Sequence, residues 1–253
     1  MTVRHDGLSA DWLGYATLRL QSEAAVVYTD PGRYGVLTGE WPPPHGRETV
    51  SHPRGPAYDR RDGDLVVVTH DHHYDPDGIR RVAADDATLV VYEAVDASRI
   101  ARSVEPVEDL PYEVHRVGYG DALSVTPVSI DVVPAYNHPD GPNLTAAGEP
   151  IHPEGFGCGY RITLGGVTVF WPGDTDPIPA HEGIDVSLFC PPIGRSFTMD
   201  RHGAAALADR LNPDLTLPIH YNTFDDLEAD SAAFAADVAG RGVPVVLDEG
   251  GSE

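Results

Sequence analysis

The segment VVVTHDHHYDPDGI, residues 66–79, places three histidines and three acids in the eight positions from His70 to Asp77, directly behind a run of β-branched apolar residues. His70 and His72 are separated by one residue. In an extended segment at a strand end their side chains therefore leave the same face and reach toward one ion. Zinc accepts neutral imidazole nitrogens at about 2.0–2.1 Å and carboxylate oxygens at similar range. One HxH pair is weak grounds for a metal site, because hydrogen-bonded histidines are commoner than ligands. Asp71, His73, Asp75 and Asp77 strengthen it, since so many ionisable groups at a strand terminus are costly unless a cation is held among them. Three later stretches repeat the layout of a polar residue at the end of an apolar run: GVTVFWPGDTD with Asp174, LTLPIHYNT with His220, and DVVPAYNHPDGPNLTAAGEPIHPEG with His138 and His152. Each alone reads as a capped turn; together they put ligand-type side chains at one edge of an α/β fold, where such folds build their sites.

The elements that must position these residues are legible as alternating runs. Short strands open the chain (YATLRLQ, AAVVYTD). From Leu65 onward LVVVTH, a helix near PDGIRRVAA, TLVVYE and a helix near VDASRIARSV lead into a more continuous β middle. The last third alternates DVSLFCPP, the Ala-rich helix MDRHGAAALADRL, LTLPIHY, the helix LEADSAAFAADVAGR and the strand VPVVLDE. Two sheets faced by helices is the layered arrangement that buries such elements, in a single domain over residues 1–253. Residues 31–63, rich in Pro, Gly and Arg and without periodicity, predict a long loop that covers or lines a site, with disorder as the competing reading.

Composition narrows the partners. Asp and Glu number 40 against 17 basic residues, all of them arginine, for a formal net charge of −23. Such a field repels phosphate backbones and anionic bilayers, which excludes nucleic acid and membrane surfaces as partners and leaves a small-molecule substrate, with self-association of the chain open. The absence of lysine and the acidic surface predict a salt-adapted source, because concentrated salt screens the self-repulsion. Cys158 and Cys190 are far apart with no CxxC pattern, no run approaches a membrane span, and the opening residues lack a secretory layout; the expectation is a cytoplasmic protein.

Several stretches, in order, resemble the metallo-β-lactamase-fold hydrolases and, more narrowly, the branch of L-ascorbate 6-phosphate lactonase-like proteins. They are WLGYATLRL followed by TDP, VVVTHDHHYD, VPAYN with a later HP, GCGYRITLGGVTVFWPGDTDPIP, PPIGRSFTM and PIHYNT. The resemblance implies an α/β fold, a four-layered αββα sandwich, whose HxHxDH loop holds one or two divalent ions together with a later His, an Asp and a final His. Zinc is the first choice, with manganese or iron as alternatives. His70 and His72 match the first two histidines, Asp174 the acid that bridges two metals, and His220 the last histidine. His152 is preferred to His138 as the middle one, because it stands in an HP pair shortly before the Gly-Tyr strand.

The chain departs from the family where HxHxDH should continue: Tyr74, Asp75 and Pro76 follow the histidines. Either alignment nominates Asp75, as a ligand or as the group that orients the attacking water, and leaves a His-poor second site of Asp75, Asp174 and His220. Strand alternation turns His73 away from His70 and His72. Tyr15 stands where many relatives carry His, and Arg195 where they read Gly. The implied reaction is hydrolysis of a small ester, lactone or phosphodiester by a metal-activated water. Asp30 is expected behind the histidines as a hydrogen-bond partner, and Tyr136, Asn137 and Tyr221 beside the ligands as substrate-binding groups. The competing readings are a non-catalytic binding descendant of the fold and, least favoured, a di-iron redox protein, whose members use Glu at the position of His72.

Overall fold

The computed structural model describes residues 2–38, 40, 58–223 and 225–249. Strands β1 (Val3–His5), β2 (Leu8–Trp12), β3 (Leu18–Gln21), β4 (Val26–Thr29), β5 (Gly63–Val68), β6 (Ala83–Tyr92) and β7 (Glu113–Val117) form one sheet in sequence order, antiparallel up to β4 and parallel from β4 to β7. The second sheet runs β13 (Leu215–Thr216), β12 (Leu188–Phe189), β11 (Val167–Trp171), β10 (Gly157–Leu164), β9 (Val128–Ala135), β8 (Ala122–Val125), antiparallel from β8 to β11 and parallel at β11–β12–β13. Helix α2 (Pro76–Val82) packs on β5 and β6, while α3 (Arg201–Leu211) and α4 (Ser231–Gly240) pack on one another. This is the expected αββα sandwich.

Residues Val66, Val67 and Val68 of β5 are fully buried, as a central parallel strand covered on both faces requires. A single apolar core draws on both sheets. Polar links join the sheets at one end: the Tyr160 hydroxyl donates to the Val68 carbonyl (2.9 Å), the Cys158 N–H to the Thr69 carbonyl (3.2 Å), and the Trp171 indole N–H to Asp30 Oδ2 (2.7 Å). All three lie where β4, β5 and β11 end. The chain therefore leaves the parallel strands of both sheets at a common edge, and the candidate residues lie there.

Three expectations need correction. Within the stretch expected as a loop at 31–63, Tyr34–Thr38 forms a short helix, α1; residues 41–57 of that stretch lie outside the described residues. The helix expected near VDASRIARSV is reduced to one 3-10 turn, Ala97–Arg99, capped by Asp96, because Arg99 and the Asp96 N–H are both drawn to the buried Asp71 carboxylate. The strand expected in VPVVLDE contributes only an isolated bridge from Val245 to Thr216. No helix among the described residues is long and apolar enough to cross a membrane.

Candidate metal centre

At the end of β5 the chain leaves the extended conformation at once. Asp71–His73 forms a 3-10 turn, closed by the His73 N–H donating to the His70 carbonyl (3.1 Å). Strand alternation therefore stops applying after His70, and His73 turns inward instead of away. From the second sheet, the β9–β10 connection brings His152, the end of β11 brings Asp174, and the segment after β13 brings His220. All but His72 are at least 95% buried; His72 is exposed at the mouth of the cluster.

The spacing of the donor atoms is that of ligands around an ion. Two ligands on a tetrahedral ion with bonds of about 2.0–2.1 Å stand about 3.3 Å apart. His72 Nδ1 faces His152 Nε2 at 3.1 Å, and His73 Nε2 faces His220 Nε2 at 3.3 Å. Asp174 divides between two groups of imidazoles. Its Oδ2 lies 3.6 Å from His70 Nε2 and 3.8 Å from His152 Nε2; its Oδ1 lies 3.3 Å from His220 Nε2 and 3.7 Å from His73 Nε2. His70 Nε2 and Asp174 Oδ1 are buried without a hydrogen bond, an arrangement that costs free energy unless a cation takes the lone pairs. The residues present thus fit one ion among His70, His72, His152 and Asp174, and a second among Asp174, His73 and His220.

A second layer of hydrogen bonds fixes which ring nitrogens face inward. Asp30, fully buried at the end of β4, accepts from the Thr69 N–H (2.8 Å), the Thr69 hydroxyl (2.9 Å) and the Trp171 indole, and lies 3.2 Å from His73 Nδ1. Having donated to Asp30, the Thr69 hydroxyl is left to accept from His70 Nδ1 at 2.9 Å. His152 Nδ1 faces the Phe197 carbonyl (3.1 Å) and Asn137 Oδ1 (3.2 Å). For His70, His73 and His152 alike, the N–H points outward and the Nε2 lone pair inward, the tautomer a metal ligand needs.

The charges respond accordingly. Burial pushes His152 down to about 3 and holds His70 and His220 well below the ordinary imidazole range, with neighbouring histidines adding to the effect. These three rings are neutral at pH 7. Burial lifts Asp174 to about 6, against the pull of His73 and Arg33. Burial would depress His73, but Asp174 and Asp30 outweigh it and its pKa is raised. A metal ion here would compete with protons for these groups.

Residues 9–220 match the model of the β-lactamase superfamily domain. The UPF0173 metal-dependent hydrolase of Pyrococcus furiosus is 31% identical over 196 residues, 75% of this chain and 80% of that protein. This chain belongs to that family. A second UPF0173 metal-dependent hydrolase, from Methanopyrus kandleri, is 28% identical over 95% of this chain and 96% of its own. Igni18, a metallo hydrolase from Ignicoccus hospitalis, shares the fold with a TM-score of 0.66 at 20% identity, over 97% of this chain and 96% of that one. The chain is thus a member of the UPF0173 family within the β-lactamase superfamily.

Among the residues singled out in the sequence, this UPF0173 chain brings together His70, His72, His152, Asp174 and His220. His138 stays outside, its N–H on Asp176 Oδ2 (2.9 Å) and its ring against Tyr136. Asp75 also requires correction. It is buried as the N-cap of α2, accepting from the Asp77 N–H (3.1 Å), the Tyr34 N–H (3.0 Å) and Arg102 (3.0 Å), and none of the metal-competent groups among the described residues includes it. Tyr221 points into the core, its ring 4.6 Å from Trp12 and its hydroxyl donating to Glu249 (3.2 Å). Asn137 holds His152 and the Phe197 carbonyl rather than facing a cavity, and Tyr136 is tied through its backbone to Thr175. Tyr15 lies beside the centre, tilted to His220 and edge-on to His73. Its ring is 4.5 Å from His220 and 4.9 Å from His73, and burial, against the pull of Arg33 and with a smaller push from Asp174, lifts its phenol to about 12. Sequence reasoning dismissed His73 and overlooked Thr69. The usable signal was the adjacency of His72 and His73, which only a turn can aim at one centre.

Proposed function

We propose that this chain hydrolyses a small ester, lactone or phosphodiester, using one or two divalent ions held at the clustered histidines and Asp174. Zinc is the first choice, since imidazole with carboxylate suits it; manganese and iron remain alternatives. When bound, such an ion supplies polarisation of the scissile oxygen and a water acidic enough to act at neutral pH. The chain's own part is positional. Asp30 and Thr69 fix the imidazole tautomers, Asn137 and the Phe197 carbonyl fix His152, and Asp174 spans the two groups of donors.

One observation carries this reading: Asp174 offers a separate oxygen to each of two histidine groups. It also favours the enzyme over a non-catalytic descendant. That alternative rested on a second site lacking its histidine, and His73 offers one from earlier in the same loop, its Nε2 3.3 Å from His220 Nε2.

The test is elemental analysis of the purified chain followed by a screen of aryl esters, lactones and phosphodiesters. About two ions per chain with turnover supports the reading, and His70→Ala and Asp174→Ala are expected to lose both metal and turnover while keeping the far-ultraviolet circular dichroism of the parent. Full activity in either variant overturns it.

A further inference from the structure

Beside His72 the chain forms a half-open cavity of about 730 Å³ whose wall includes Arg33, Arg99, Arg102, Phe156 and Ile100. Its lining runs against the composition of the molecule. Acids outnumber basic residues 40 to 17 in the chain, yet among the described residues Asp71 is the one acid on this wall beside three arginines.

The guanidinium groups are mounted rather than loose. Asp71 is buried beneath Arg99 and meets its Nε at 2.8 Å, and Asp75 meets Arg102 at 3.0 Å. Arg33 follows the turn that carries Asp30. Its φ of 53° is a conformation a side-chain-bearing residue seldom adopts, and the preceding Gly32 lies so close to the His73 backbone that a Cβ there would sit 2.6 Å from its carbonyl oxygen. The turn that braces His73 through Asp30 therefore also aims Arg33, whose Cζ lies 5.6 Å from the Tyr15 ring centre. Opposite, Phe156 presents an apolar surface. Its ring is 5.3 Å from His72 and 5.6 Å from His152, with the Arg99 Cζ 5.6 Å from its centre.

We infer that this cavity selects substrates bearing an anionic oxygen group on a short apolar body, with Arg33, Arg99 and Arg102 binding the anion, Phe156 and Ile100 the body, and the scissile bond directed past His72 to the metal centre. The inference rests on the hydrolase reading above and adds the substrate class. Arginine suits the role because its planar fork matches carboxylate and phosphate oxygens alike, and a partly enclosed site weakens solvent screening.

The test uses the zinc-loaded full chain at one fixed salt concentration and two esters of matched shape: the mono-4-nitrophenyl ester of glutaric acid, which ends in a carboxylate, and 4-nitrophenyl valerate, which ends in a methyl. A kcat/KM ratio of at least about tenfold in favour of the charged ester is expected, falling severalfold in Arg33→Gln and largely kept in Arg33→Lys, with zinc content unchanged. Arg99→Gln reports in the same way if Arg33→Gln does not fold. A ratio near one, or one that survives both glutamine variants, overturns the inference.

If neither ester is turned over, the hydrolase reading is at fault and binding decides separately, with the corresponding 4-nitroanilides as uncleaved probes in calorimetric titration. Tighter binding of the charged anilide, lost in the glutamine variants, sustains the cavity assignment, and equal affinities refute it. A phosphonate-ended anilide of the same length then ranks the two oxyanions.

Discussion

Asp30 shows how much one side chain can settle. With two oxygens it gathers Thr69, His73 and Trp171, and through the Thr69 hydroxyl it reaches His70. The division of donors makes His73 decisive: His73→Gln is expected to keep one ion per chain where the parent holds two, as counted by elemental analysis. Asp75→Asn is expected to leave metal content intact and to lower stability by about 1 kcal/mol or somewhat more, because it weakens a helix cap and strands Arg102; thermal unfolding measures this. The pH response of chelated protein has a definite sign. Below about pH 6.5 the unfolded chain protonates histidines that the fold keeps neutral, so each of His70, His152 and His220 costs roughly 1.4 kcal/mol per pH unit as pH falls toward 4. Two groups oppose this. Asp174, lifted to about 6, relieves strain as it protonates, and the stabilisation from His73, present at low pH, is lost as pH rises through its raised pKa. Three histidines against these leave a net loss of stability on acidification, and urea unfolding at pH 7 and pH 5 that showed equal stability would contradict it. At this scale the sequence was legible where residue type and strand end coincide, as at His70, Asp174 and His220. It misled at Asp75 and His73, because a single 3-10 turn changed which side chains face inward and no local propensity in HDHHYD announces such a turn.

Elements deliver these side chains by ending together, and glycine marks where they come too close for a Cβ. Gly157, at the start of β10, leaves 2.9 Å between a notional Cβ and the His70 Cβ, while at Gly78 in α2 a Cβ would fall 1.7 Å from the Pro31 carbonyl oxygen. Gly157→Ala is expected to displace His70 and weaken metal affinity about tenfold or more, measured by chelator competition. Gly78→Ala forces backbone to move beneath the turn carrying Arg33 and is expected to cost about 3 kcal/mol or more in denaturant unfolding. Most strands, and helices α2, α3 and α4, could be read from alternating apolar and helix-forming runs, because burial on one face sets their period. The segment after Tyr92 could not, since its conformation follows from Arg99 reaching a buried acid 28 positions earlier in the chain.

For the molecule as a whole, a net charge of −23 makes self-repulsion a standing cost of compactness. Raising potassium chloride from about 0.1 M to about 2 M is expected to raise the thermal midpoint, because the screening length falls from about 10 Å to under 3 Å; a midpoint that fell with salt would remove the case for salt adaptation. The two-sheet architecture was readable from the alternation of runs, whereas the positively lined cavity was not, because its arginines come from separate segments that look like ordinary acid-paired surface residues one at a time. One feature of the fold reaches beyond chemistry. His70, His72 and His73 hang from one sheet, while His152, Asp174 and His220 hang from the other, so a captured ion rivets the layers together at their shared rim. Chelation should then let that rim breathe, and amide exchange should quicken at Thr69–Tyr74 and Pro172–Thr175 well before it does in the distant hairpin of β8 and β9.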